Sequence, residues 1–309
     1  MRFGASTLKQ LKRPFWIDSA TVEHRSVLLK ETVDFLSVRE GGFYLDATLG
    51  GGGHASAILE RGGCVLGIEI DPQALTVAQS RVGKNVCFQA VLGNFKNLKE
   101  LSHSSGYKVF DGIVFDLGLS SFQLKTPGRG FSYSLSEPLD MRASPDLTLT
   151  AADIVNGFTK DRLYEIFIKF GEERLSSRLA DLIEKRRVLN KIESTGDLYE
   201  IIGRLAPKEE DRRKIASRVF QALRIYLNNE LDNLKEALPR ALEMLRIGGS
   251  LVVISFHSIE DRLVKNFFVE RARVGKGMIL TKRPVRPQVI ELRRNPSSRS
   301  ARLRALKKI

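Results

Sequence analysis

Tryptophan occurs once in the 309 residues, cysteine twice and histidine four times, and each scarcity excludes something. Cys64 and Cys87 have no CxxC spacing, and each begins or lies within a β-like apolar run. Both are therefore expected as reduced core residues of a cytoplasmic protein. His24, His54, His103 and His257 form no HExxH pair and no His/Cys cluster, so no metal is implied. No apolar run is long enough to cross a bilayer, and residues 1–23 lack the continuous apolar core of a secretory signal. With 42% hydrophobic residues, the chain has core material for one large α/β domain, or for one domain carrying a second small one.

Acidic residues are scarce at both ends. The formal net charge is +14, yet residues 271–309 hold thirteen Lys/Arg against one acid, Glu291, and residues 1–16 hold four basic residues and no acid. The body between them is close to neutral. Basic ends suit a polyanion, because Lys and Arg placed on phosphates release condensed counterions; the plain alternative is a solvated tail. Residues 1–23 fit a floppy basic N-terminal arm better than an organelle transit peptide.

From Gly42 onward strand and helix patterns alternate. "GFYLDATL" and "CVLGIEI" (Cys64–Ile70), the latter a buried one, read as strands, and "VCFQAVL" (Val86–Leu92) and "DGIVFDLG" (Asp111–Gly118) as a third and a fourth. Helices are expected between them, one opening at His54 and one carrying Pro72 in its first turn. This rhythm predicts a mostly parallel sheet with helices on both faces. A long Ser/Pro/Gly-rich loop follows, up to Thr150, and then helical segments at Ala151–Phe158, Lys160–Gly171, Arg174–Val188 and Asp197–Leu205. Residues 125–213 thus read as an inserted all-α domain that splits the α/β domain into 24–124 and 214–309. Helix resumes over Lys214–Leu245, and "GGSLVVISF" (Gly248–Phe256) is a further strand. Ser258 and Asp261 resemble a capping box that starts a helix at Ile259. "MILTKR" and "ARLRALKK" are candidate last strands, the second alternating enough to be an edge.

The stretch "FYLDATLGGGGHASAILE" places four glycines between a strand and a helix, where a ligand can meet bare backbone and a helix N-terminus. A phosphate-binding Walker loop needs Lys-Ser/Thr after its last glycine, and here His54-Ala55 follows, which excludes it. A dinucleotide fingerprint fits loosely, through Gly50-x-Gly52-x-x-Ala55 and the acid Glu69. S-adenosylmethionine fits as well, with Glu69 for the ribose and Asp46 at the end of the first strand for the ligand's ammonium. Thr48 stands where the usual acid-and-glycine motif has its first glycine. A purely structural turn is the fourth reading.

Several longer blocks narrow the choice. "HRSVLL" (His24–Leu29), "DATLGGGGH" (Asp46–His54), "GIEIDPQA" (Gly67–Ala74), "DGIVFDLGLSSFQL" (Asp111–Leu124), "GRGFS" with "LDMR", "FQALRIYLNNEL" (Phe220–Leu231), "GGSLVVISFHSIEDRLVK" (Gly248–Lys265) and "NPSSRSARLRA" (Asn295–Ala305) cover the chain from His24 to its end. In these blocks the chain resembles the bacterial 16S ribosomal RNA (cytosine-N4)-methyltransferases, the RsmH or MraW family. The resemblance implies a class I S-adenosylmethionine-dependent methyltransferase fold, Rossmann-like, with a mostly parallel sheet, an antiparallel last strand and an inserted all-α domain for substrate recognition. It implies S-adenosyl-L-methionine as cofactor and, as target, a cytidine in the decoding centre of 16S rRNA, met within the small ribosomal subunit in the cytoplasm. The oligomeric state stays open, a homodimer included. By the same resemblance Gly52, Gly53 and His54 hold the cofactor at the loop and Glu69 holds its ribose. Phe95 lies near the adenine, and Asp116 and Gln123 complete the site. Glu69 stands where family members often have Asp, and the arm before His24 is longer than usual.

Methyl transfer from a sulfonium is an in-line displacement that needs alignment and an acceptor for the N4 proton. Asp116 is the expected acceptor and Asp140 the second choice. Phe131, Tyr133, Phe256 and His257 are candidates to grip an unstacked base, each weighed against an ordinary structural role. Arg142 either pairs with Asp140 or meets RNA phosphate. Asn228-Asn229-Glu230 reads as a polar contact between helices.

Overall fold

The computed structural model describes residues 26–119, 123–124 and 126–309. The basic arm 1–23, His24 and the loop residues Ser120, Ser121, Phe122 and Lys125 lie outside them. Seven strands form: β1 (Phe43–Asp46), β2 (Cys64–Glu69), β3 (Phe88–Leu92), β4 (Phe110–Asp116), β5 (Leu245–Ser255), β6 (Gly277–Ile279) and β7 (Arg302–Lys308). They make one sheet in the order β3-β2-β1-β4-β5-β7-β6, parallel except where β7 runs antiparallel to β5 and β6. Val65, Leu66, Ile113, Val114, Phe115, Val252 and Ile254 are sealed from solvent. Both faces are covered, which is why these strands read as continuous apolar runs without alternation.

Helices α1 (Leu29–Leu36), α2 (Gly53–Leu59) and α3 (Pro72–Val82) follow or precede β1 and β2. Leu36, Ala55, Ile58 and Ala78 from them pack with Val65, Val114 and Val252 on one face of the sheet. α4 (Leu98–Ser104), α10 (Glu230–Met244) and α11 (Ser258–Arg273) supply Leu98, Leu234, Leu238, Val264 and Phe268 to the other face. Between β4 and β5 come α5 (Ala151–Gly157), α6 (Lys160–Gly171), α7 (Ser176–Leu189), α8 (Thr195–Leu205) and α9 (Glu209–Leu227). They close around a core of their own that includes Ile154, Phe167, Ile183, Ile202, Val219 and Leu223. Capping boxes at Thr150/Asp153 and Ser194/Asp197 start α5 and α8. A last short helix, α12 (Val289–Arg294), precedes β7. None of the helices among the described residues is long and apolar enough to cross a membrane.

The structure departs from the sequence expectations at five places. Cys64 and Cys87 are joined in a disulfide and are half-buried, because the pairing of Val65 with Phe88 sets them side by side at neighbouring strand starts. β7 is not an edge strand: it lies between β5 and β6, and its alternating Arg304 points into the protein, where Asp261 holds it at 2.6 and 3.1 Å. The single helix expected over 214–245 is two helices, broken at Asn229, which takes a left-handed backbone (φ 55°). The boundary expected at 213 falls inside α9, which packs with the helical core as far as Leu227. Finally α11 begins one residue early, at Ser258, with the His257 side chain accepting from the Glu260 N–H as its cap.

Candidate active site

Three strand ends carry an acid each: Asp46 closes β1, Glu69 closes β2 and Asp116 closes β4. Those strands are neighbours, so the acids stand in a row along the carboxyl edge, the side on which open parallel sheets bind ligands. A cavity of about 320 Å³ opens there. On the β2–β3 side its wall includes Gly50, Gly53, Glu69, Phe95 and Gln123; on the β5 side it includes Arg224, Asn228, Glu230, Phe256 and Glu260. His54, Asp116 and Leu119 also face it.

The glycine loop is built as a turn. Gly50 and Gly52 take left-handed backbones (φ 52° and 76°), and the Gly50 N–H donates to Glu69 Oε2 at 2.7 Å. Glu69 Oε1 accepts from the Asp71 N–H at 2.9 Å. Burial pushes the Glu69 carboxyl above its ordinary range despite these donors. Gly53 opens α2, and a Cβ there would stand 1.9 Å from Ser26 Oγ and 3.2 Å from Ser26 Cβ, so a larger residue 53 would press on the chain entering α1. Gly52 faces α3 instead, where an added Cβ would stand 3.3 Å from Ala78 Cβ, and it is not in the cavity wall.

Asp46 is buried behind the loop and does not face the cavity. Its Oδ1 accepts from the Thr48 N–H at 3.2 Å and its Oδ2 has no partner. Burial, with the Glu69 charge adding to it, pushes its carboxyl up to about 7. Thr48, the departure from the glycine motif, accepts the Asp116 N–H at 2.6 Å and so ties the end of β4 to the loop. The Asp116 side chain keeps 24% of its surface, turned toward the cavity, yet the protein around it still withholds water. Burial first, then the charges of Asp46 and Glu260, raise its carboxyl well above the usual range. His54 Nε2 lies 3.2 Å from the Val27 carbonyl, and its Nδ1 lies 3.7 Å from Asp116 Oδ2.

Gln123 reaches Asp71 at 3.3 Å, and Arg129 reaches the same carboxylate at 2.9 Å. Arg129 also donates to the Arg142 carbonyl, so the start of α3 is linked to the long loop before the helical unit. Asp140 stands apart from the cavity. Both its oxygens are taken by the Arg142 guanidinium at 2.8 and 2.7 Å, which holds its carboxyl below the ordinary range although burial opposes this. Its position does not support the role of second acceptor, and Arg142 is a partner of Asp140 and of the Leu147 carbonyl. Phe131 is buried in the helical core under Arg129, and Tyr133 stacks on Tyr199 at 5.6 Å, so neither loop aromatic faces the cavity. Phe256 does face it, while His257 caps α11 behind the wall.

Ser26, Arg224, Asn233 and Glu260 are among the wall residues that the sequence did not single out. Arg224 and Glu260 sit in strongly helical stretches, where a charge is ordinarily a solvated one. Asn228, by contrast, holds the loop by accepting from the Ala143 N–H at 2.7 Å and donating to the Met141 carbonyl at 2.9 Å. Glu230, His257 and Glu260 lie close enough to hold a cation, but the guanidinium of Arg224, 2.8 Å from Glu230, already supplies the positive charge there.

The donor set suits S-adenosylmethionine. The part-exposed Asp116 carboxyl on the wall suits N–H donors or positive charge, and the bare glycine backbone beside Glu69 admits a ribose. Phe95 offers an apolar face beside them. Comparison with known proteins agrees. The MraW methylase family model matches residues 21–309. "Ribosomal RNA small subunit methyltransferase H" of Thermomicrobium roseum is 45% identical over 94% of this chain and 95% of its own. Its namesake in Carboxydothermus hydrogenoformans is 43% identical over 93% and 98%. Among solved structures, an rRNA methylase from Streptococcus thermophilus matches 94% of this chain and 99% of its own at 12% identity, with a TM-score of 0.43. The chain therefore belongs to the MraW methylase family, and it is a class I methyltransferase that takes its methyl group from S-adenosylmethionine.

Proposed function

We propose that this methyltransferase acts on ribosomal RNA of the small subunit, on the exocyclic N4 of a cytidine in the decoding centre, within the subunit and in the cytoplasm. The observation that carries the reading is that one cavity has both sides: its β2–β3 side suits the donor, and its β5 side is polar and walled by α9 and α10, where the helical unit meets the sheet. The relatives that match nearly the whole chain bear the name of a small-subunit rRNA methyltransferase. The bound donor supplies an electrophilic methyl group. Glu69, Gln123, Phe95 and the loop glycines hold and orient it, and Asp116 faces its charged part. The target base leaves its stack and enters beside Phe256, because its N4 cannot otherwise reach the methyl carbon in line. The helical unit presents the RNA, and the basic C-terminal segment meets its phosphates.

Incubation of the protein and labelled methyl donor with small subunits lacking the modification tests this. Label recovered as N4-methylcytidine at one 16S position is expected. Label on another base, or on a carbon of cytosine, contradicts it, and absence of label leaves a non-catalytic RNA-binding role.

A further inference from the structure

On the β5 side of the cavity stand Arg224, Glu230 and Glu260, with His257 just behind them, and the donor site uses none of the four. Arg224 Nε lies 2.8 Å from Glu230 Oε1, and His257 Nε2 lies 3.1 Å from Glu260 Oε1. Glu260 is only 3% exposed and still contributes to the cavity wall.

The plain role of Glu260 is helix capping. Its Oε2 accepts from the Phe256 N–H at 2.9 Å, while its own N–H donates to His257 Nδ1 at 3.3 Å. Capping occupies one carboxylate oxygen and needs no burial. Here the charge is buried next to a second acid, Glu230, an arrangement that is costly unless each charge has a partner. His257 Nε2, itself nine-tenths buried, approaches Oε1 without the alignment of a hydrogen bond and has no other partner. Phe256, whose backbone Glu260 grips, lies 3.5 Å from the point a Gly118 Cβ would occupy, so the carboxylate is anchored to the turn that follows Asp116.

We propose that Glu260 is the catalytic base of the transfer, with His257 as its positioning partner. The inference rests on the cytosine-N4 reading above. In the step, the N4 electron pair forms the bond to the methyl carbon and the sulfur–methyl bond breaks with its pair kept by sulfur. The N4 proton passes to Glu260 Oε1, from which solvent later removes it. The groups that face Glu260 are His257 at its own cap, Arg224 of α9, Glu230 of α10 and Asp116 of β4. Burial raises the Glu260 carboxyl, but His257, Arg224 and the Phe256 N–H outweigh it and leave it below the ordinary value, hence ionised at neutral pH. Asp116, by contrast, is shifted well upward by burial and by the charges of Asp46 and Glu260.

Single-turnover transfer to cytidine RNA, followed from roughly pH 3.5 to 8 so that the range in which Glu260 gains its proton is included, for wild type, Glu260→Gln and His257→Gln, tests the proposal. Calorimetry with S-adenosylhomocysteine reports folding and the donor site of each variant. Glu260→Gln is expected to slow transfer about 100-fold or more, to lose the rising limb of the pH profile and to keep wild-type affinity for S-adenosylhomocysteine. His257→Gln should move that limb and cost less. A third readout is binding alone: replacing the target cytosine by an analogue with hydrogen at position 4 should weaken RNA binding to wild type about tenfold. The loss should be smaller with Glu260→Gln. Unchanged rates and profile in Glu260→Gln, or a rate loss matched by loss of S-adenosylhomocysteine binding, overturn the proposal in favour of capping alone. If wild type yields no N4-methylcytidine, the reading beneath it fails and the proposal falls with it.

Discussion

At the scale of single residues, the site is governed by how little water reaches its carboxyls. Asp46 titrates at about 7 in the folded protein. An unfolded Asp titrates at about 3.9. Between those values the folded protein keeps a proton that the unfolded chain has lost, so stability falls as pH rises from about 4 to about 7 and levels off above. Thermal melts of the ligand-free protein over this range are expected to show that decline, and Asp46→Asn to flatten it; parallel curves would remove Asp46 as its source. Gly53 makes a second prediction. An added Cβ lies 1.9 Å from Ser26 Oγ, so Gly53→Ala should displace the loop and cost about 1–3 kcal/mol in S-adenosylhomocysteine binding. Pairing it with Ser26→Ala should recover part of the loss, as read by calorimetry. Glycines and acids at strand ends were legible in the sequence because their spacing follows the fold. Asp140 and Asp116 were not separable there, since only the structure shows one carboxylate enclosed by Arg142 and the other opening on the cavity.

At the scale of elements, buried strands β1, β2, β4 and β5 announced themselves as apolar runs, and α3 by Pro72 in its first turn, to which the structure adds Asp71 as the cap. β7 misled because alternation ordinarily means one wet face. In this protein Arg304 is only 8% exposed and is neutralised by Asp261 of α11, with Arg302 3.5 Å away. Part of the basic C-terminal charge is therefore structural. Asp261→Asn leaves Arg304 buried without its countercharge and should lower stability by about 3 kcal/mol in denaturant titration. A loss within experimental error would mean that water reaches the pair. The break between α9 and α10 was hidden because helix propensity runs through it. Asn229 makes it by accepting a left-handed backbone, and Asn228 uses its side chain on the loop backbone at Met141 and Ala143. That break brings Arg224 and Glu230 to the cavity wall.

At the scale of the whole molecule, the sheet, packed on both faces, and the helical unit with its own core share one cavity, and positive charge gathers near its rim. Arg293 and Arg294 are exposed on α12, three residues before Ser297, which faces the cavity. Charge reversal at both is expected to weaken RNA binding and to reduce the slope of log affinity against log salt by about 2, roughly one per phosphate contact. An unchanged slope would leave these arginines as solvated charge. The most direct test of the account is a crystal structure with S-adenosylhomocysteine bound. The ligand is expected along the carboxyl edge of β1, β2 and β4, its ribose on Glu69, its adenine beside Phe95 and its sulfur directed toward Asp116 and Phe256. Density for the ligand elsewhere on the surface, or a cavity closed by side chains when ligand is present, would contradict it.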